Sequence, residues 1–201
     1  MKPDTRPDLA ALLGSRICHD LISPLGAIGN GMELLQMSGA PQSPEMQLIA
    51  DSVAHANARI RYFRIAFGAA SIDQQIGRRE FASVLDDSFA GSRITIIHDV
   101  QPDLPRSEAK LALMLVLCLE SALPVGGKIA LSQSDQDKWQ LSATGPRLNV
   151  DYELWSLLTS PLSAHDLKPA EVHFGLLADA AARARRALQV ELGSETVSVR
   201  F

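Results

Sequence analysis

Cysteine is nearly absent from this chain: Cys18 and Cys118 are the only two in 201 residues. Two thiols make no disulfide framework, so a reducing, cytoplasmic compartment is the expectation. Aromatic residues make up only 5% of the sequence, no Lys/Arg cluster interleaves with them, and the net charge is −4. That balance argues against a nucleic-acid partner. The short basic run of Arg183, Arg185 and Arg186 reads as a solvated helix face. No stretch of about 18 apolar residues exists to cross a bilayer. The most apolar segment, Leu111 to Leu119, is too short, and Met1 to Leu9 lacks a signal-type apolar core, so no membrane partner is expected. Gly-x-Ser-x-Gly, P-loop and dinucleotide fingerprints are missing. The histidines at 55, 98, 165 and 173 have no metal-ligand spacing. Asp86, Asp87 and Asp99 are explained by helix-surface and turn positions. Cys18 beside His19 makes no metal pair, because adjacent helical residues point about 100° apart.

What is present is one long helical stretch, Leu12 to Leu35, carrying His19 and Asp20. At about 100° per residue, Ala10, Ile17, Leu21, Leu25, Ile28, Met32 and Leu35 form one apolar stripe. His19, Ser23, Gly26 and Asn30 fall on the opposite side, with Ile22 and Gly29 at its margin. A bland surface would carry Lys and Glu there; this one carries small residues and one apolar residue taken as exposed, Ile22. Glycine inside a helix costs about 0.5–1 kcal/mol relative to alanine. Gly26, Gly29 and Gly31 lie within six residues, so close approach of another protein surface is the natural offset. Pro24 removes the N–H that the Asp20 carbonyl would accept, which predicts a kink or loosened turn beside His19. An ordinary amphipathic helix with an incidental histidine would show the same periodicity.

The run His19-Asp20-Leu21-Ile22-Ser23-Pro24-Leu25-Gly26-Ala27-Ile28 resembles the phosphoacceptor helix of two-component signalling proteins. With Asn30-Gly31 and Glu33-Leu34-Leu35, and a second stretch from Phe63 to Ala70, it is most similar to the ChpT-type histidine phosphotransferases of alphaproteobacteria. The resemblance is dense over residues 9–70 and rests mainly on element order beyond them.

The expected fold is α+β. Helix one begins near Asp8, its candidate N-cap, and ends around Met37 before Ser38-Gly39-Ala40-Pro41. Ser43-Pro44-Glu45 opens helix two, which runs to about Phe67 with Met46, Ile49, Val53, Ala56, Ile60 and Phe63 as its stripe. A hairpin of two helices cannot bury both stripes alone. The economical solution is a homodimer whose two hairpins form a four-helix bundle, which the resemblance also implies; the alternative is cover by the C-terminal half. The domains expected are 8–70, a dimerisation and phosphotransfer hairpin, and 79–201, an α/β sandwich resembling a degenerate histidine-kinase ATP-binding domain, with Ser71 to Arg79 as linker. In the second, helices are expected near Phe81–Phe89, Ser107–Leu123 (capped by Ser107), Tyr152–Leu158 and His173–Ala187. Strands are expected near Ile94–His98, Lys128–Ser132, Trp139–Ala143, Gln189–Leu192 and Val197–Phe201, with a hairpin turn at Asp135-Gln136-Asp137.

Kinases of this class hold nucleotide with an asparagine-bearing helix, an Asp-x-Gly-x-Gly loop and a glycine-rich lid. Here Glu108 to Leu123 contains no asparagine, the loop reads Ala143-Thr144-Gly145-Pro146-Arg147, and no glycine-rich lid follows. Without a metal ligand, a triphosphate's charge goes unneutralised, so no ATP binding and no cofactor of its own is expected. The resemblance implies a relay: phosphoryl passes from the receiver-domain aspartate of a hybrid histidine kinase to His19, then to response-regulator aspartates. Mg²⁺ would come from the receiver. By the same likeness Asp20 orients or deprotonates the imidazole and Ser23 borders the reacting group. Arg16, Ile22, Gly26 and Asn30 would meet the partner. The competing function is a non-catalytic dimeric scaffold that binds receivers without accepting phosphate.

Overall fold

The computed structural model describes residues 8–39, 43–71, 73–134, 138–160 and 166–201. The chain divides after Ala70 into two compact units. The first is a helical hairpin of α1 (Leu9–Met37) and α2 (Pro44–Ala66). Asp8 caps α1 by accepting the Ala11 N–H at 3.0 Å, and Ser43 caps α2 by accepting the Met46 N–H at 3.3 Å, with Pro44 at the first helical position. The helix assignment is unbroken across Pro24, so the turn expected to loosen beside His19 does not divide the helix.

Packing between the helices corrects the wheel. Ala11 and Cys18 are buried, and Gly14, Ile22, Leu25, Gly29 and Met32 are half-buried. These residues repeat at heptad-like spacing and form the inner seam. A Cβ built on Gly29 would meet Val53 Cγ1 of α2 at 3.7 Å. Ile22, read from sequence as exposed beside the histidine, sits one turn beyond Cys18 at the edge of this seam. The outer half of the apolar stripe, Ile17, Leu21, Ile28 and Leu35, stays exposed in the single chain, as do Leu48 and Ile49 of α2. One helix covers only a narrow strip of another, and this stripe is wider than that.

The second unit opens with β1 (Gln75–Gly77), inside the segment expected to be linker, paired antiparallel with β3 (Asp103–Pro105). Isolated buried residues, Ile76 and Leu104, anchor this ribbon, and three-residue strands carry too little periodicity to be read from sequence. Helix α3 spans Arg78–Phe89 and α4 spans Arg106–Ser121. Ser107 is not the cap of α4: β3 runs straight into the helix, and the Arg106 N–H is taken by the Gln74 carbonyl at 2.8 Å.

Strands β2 (Ile94–Asp99), β4 (Gly127–Gln133), β5 (Trp139–Thr144), β6 (Gln189–Leu192) and β7 (Thr196–Arg200) form one sheet in the order β2-β4-β5-β7-β6. Only β2 and β4 run parallel; the other pairs are antiparallel. One face is apolar and buried, with Ile129, Leu131, Leu141, Ala143, Val197 and Val199. The other carries Lys128, Ser132, Gln140, Thr144 and Arg200, all exposed. This alternation places helices on one side, the mixed sandwich expected. Helix α4 is nearly all core, with Leu111 through Leu119 buried without a break. Helix α5 (Tyr152–Ser156) and α6 (Val172–Arg183, after a short turn at Pro169–Glu171) complete the layer, with Trp155 edge-on to Phe174 at 5.3 Å. The expected turn at Asp135-Gln136-Asp137 and His165 lie outside the described residues.

Candidate phosphoacceptor site

His19 lies on the exposed side of α1, with its side chain 83% exposed. Its Nδ1 is 3.1 Å from Asp20 Oδ1, and Arg16 Nε donates to Asp20 Oδ2 at 2.8 Å. Neighbouring residues on a helix diverge, and the sequence alone left contact between His19 and Asp20 open. The carboxylate bridges that gap by leaning toward the histidine while Arg16, one turn earlier, holds its second oxygen. The hydrogen bond from His19 is the largest influence holding the Asp20 carboxyl below the usual carboxylate range; desolvation opposes it, and the Arg16 hydrogen bond and charge add to the lowering. An ionised carboxylate only accepts hydrogen bonds, so the ring nitrogen facing it carries the proton. In the neutral ring the Nε2 lone pair is then free and points to solvent.

Of the other predicted residues, Ser23 and Asn30 are exposed on the same side of α1 and Gly26 is half-buried. A Cβ built on Gly26 or on Gly31 meets nothing within 4 Å among the described residues, so the space that those glycines leave is open there. Ile22 belongs largely to the inner seam. Leu12, seven residues ahead of His19, is an exposed apolar residue on the histidine's side. The i, i+4 spacing of Arg16 and Asp20 was a legible signal for their pairing.

A second constraint had no local signal. Gly14 packs against the end of α2: a Cβ there would stand 3.2 Å from the Phe67 carbonyl oxygen, and Ser15 Oγ accepts the Ala69 N–H at 3.0 Å. These contacts explain why the stretch from Phe63 to Ala70 accompanies the histidine motif. They clamp the start of α1 one turn before His19. Beneath the site, burial pushes the Cys18 thiol up, and the Arg64 charge opposes this weakly. Cys18 is therefore a packed thiol facing away from the histidine.

Two other histidines are accounted for otherwise. His98 Nε2 contacts Asp86 Oδ1 at 3.1 Å between β2 and α3, and His173 packs its ring 4.8 Å from Phe174. Among the described residues, no group of three His, Cys, Asp or Glu is placed to hold a metal ion. A cavity of about 530 Å³ in the C-terminal unit is lined by Ser132, Lys138, Gln140, Arg186 and Arg200. Two of its cations are already paired, Arg186 with Glu108 and Arg200 with Glu191.

Comparison with known proteins decides what this arrangement belongs to. Residues 78–196 match the model of the histidine phosphotransferase C-terminal domain. The protein phosphotransferase ChpT of Brucella abortus (strain 2308) is 38% identical over 172 residues, covering 81% of this chain and 82% of that protein. The chain belongs to the histidine phosphotransferase family, ChpT type. A bacterial phosphotransferase solved at 1.7 Å superposes with a TM-score of 0.70 at 30% identity, over 98% of each chain. A histidine kinase domain from Erythrobacter litoralis EL346 is a looser likeness, at a TM-score of 0.45 and 14% identity, over 96% of this chain and 93% of that one. The phosphotransferase family model covers the sheet-bearing unit, whereas the histidine lies on the helical hairpin outside the matched residues. No helix among the described residues is long and apolar enough to cross a membrane.

Proposed function

We propose that this histidine phosphotransferase relays phosphoryl groups through His19. The group arrives from the receiver-domain aspartate of a hybrid histidine kinase and leaves to the aspartate of a response regulator. The observation that carries the reading is the exposed imidazole with Nδ1 held by Asp20 and Nε2 free. Nε2 attacks phosphorus in line; the N–P bond forms as the P–O bond of the aspartyl phosphate breaks and the partner's carboxylate departs. The ring gains positive charge in that step while keeping its Nδ1 proton, and the Asp20 carboxylate neutralises it. Transfer to the second receiver reverses these events. Phosphoryl transfer asks little covalent chemistry of the protein, so positioning and charge supply most of the rate.

Ser23, Gly26 and Asn30 border the docked receiver, with Arg16 on the rim and Ile22 at the edge. Mg²⁺ comes with the receiver. The C-terminal unit takes no nucleotide: α4 offers Leu, Met, Val and Cys along its buried length where kinases of this class carry a metal-binding asparagine. A second copy of the chain covers Ile17, Leu21, Ile28 and Leu35, completing a four-helix bundle. The protein works in the cytoplasm, where its partners' phosphorylated receivers are made.

The test is transfer from a phosphorylated receiver domain without ATP. Label moves to this protein, is acid-labile and base-stable, and chases to a second receiver. His19→Ala takes no label while still binding the receiver. Label accumulating on His19→Ala would sink the assignment.

A further inference from the structure

We propose that Arg16 is a positioning residue for His19, acting through Asp20 in addition to its place on the rim of the docking surface. The inference rests on the reading of His19 as the phosphoacceptor. Its geometry is a chain of two contacts, Arg16 Nε to Asp20 Oδ2 at 2.8 Å and Asp20 Oδ1 to His19 Nδ1 at 3.1 Å.

An exposed aspartate next to a histidine on a helix has no local reason to lean toward it, since side chains at adjacent positions diverge. Asp20 is half-exposed and free to adopt other rotamers unless something holds it. Arg16 holds the far oxygen, which leaves the near oxygen directed at the ring. A free imidazole distributes its proton between both nitrogens. The Arg16–Asp20 contact therefore favours the Nδ1–H tautomer, which frees Nε2 to attack.

Helix stability is the weaker explanation for the pair. A basic residue four positions before an acid is the less favourable order for an i, i+4 pair. Arg16 is also 73% exposed, and Arg16→Ala leaves the helical hairpin folded. The arrangement resembles the way outer carboxylates set histidine tautomers at metal sites, with a cation as the outermost member here.

The experiment uses phosphoramidate, a small donor that cannot dock. Its P–N bond breaks, ammonia leaves and the Nε2–P bond forms, read at His19 by mass spectrometry of the full chain after digestion. Arg16→Ala lowers that rate about 3- to 10-fold, the effect of one charge-assisted contact. Arg16→Lys restores at least half of the rate, because an ammonium also reaches Asp20. In an Asp20→Ala background, Arg16→Ala adds nothing further. ¹⁵N spectra of the His19 ring move toward the Nε2–H tautomer in both single variants. An unchanged phosphoramidate rate, additive losses, or an unchanged tautomer would overturn the proposal. The tautomer and the small-donor rate are read without a receiver, so they decide this point even where transfer from receivers is not found.

Discussion

At the scale of single residues, two glycines in α1 make opposite demands. Gly14 has a neighbour in the way of any side chain, while Gly26 has open space. Gly14→Val forces branched carbons against the Phe67 backbone and costs about 1–3 kcal/mol, the range for overpacking. Gly26→Ala gains about 0.5–1 kcal/mol of helix propensity, because no described residue opposes the methyl group. Urea denaturation of the two variants checks both signs. If a receiver approaches at Gly26, the more stable Gly26→Ala protein is nevertheless the poorer acceptor, with a raised KM for the phosphorylated receiver. Stability and transfer then move in opposite directions, which a purely structural glycine does not do. His19 and Asp20 were singled out through the motif resemblance, which did not give the 3.1 Å contact between them. It depends on a rotamer held by a residue one turn away.

At the scale of elements, the caps of α1 and α2 follow directly from Asp8 and Ser43-Pro44, which are local signals. The division of the apolar stripe does not. Periodicity marks which side of α1 is apolar, whereas only the placement of α2 tells which part of it is covered. Ile17, Leu21, Ile28 and Leu35 remain uncovered, and the proposed second copy occupies them. Replacing Leu21 and Ile28 together with lysine places charge in that seam. The expected outcome is a monomer by sedimentation at concentrations where the parent is a dimer, with far-ultraviolet circular dichroism retained. A parent that sediments as a monomer would remove the four-helix bundle. β1 and β3 escaped sequence reading because three-residue strands with one buried residue each have no pattern to detect.

At the scale of the whole molecule, the C-terminal unit is the α/β sandwich proposed to take no nucleotide. Titration with Mg·ATP is expected to give no saturable heat; affinity in the micromolar range would refute the account of this unit. Its stability is expected to depend on pH through His173. Burial holds that imidazole's pKa below its ordinary value, with Glu171 opposing weakly, and Nε2 is buried without a partner among the described residues. A depressed pKa means the unfolded chain binds the proton more readily. The His173 contribution is therefore full above about pH 6.5, the ordinary histidine range, and is lost as pH falls toward the depressed folded value. Melting temperature should drop between pH 7 and pH 5, and His173→Leu should flatten that slope. An equal slope in the variant assigns the pH dependence elsewhere.

The sequence by itself determined the helical hairpin, its caps, the histidine's place opposite the apolar stripe and the order of the larger elements. Each depends on neighbours within a few residues, where periodicity, proline and capping chemistry act. The tertiary structure alone decided three things. Gly14 and Ser15 clamp the end of α2 across more than fifty positions of chain. Ile22 turns into the seam between helices, while Leu12 stays exposed on the histidine's side. Asp20 is pinned between Arg16 and His19. In each case the deciding quantity is a side chain's direction or a contact between distant residues, which composition and spacing constrain but do not specify.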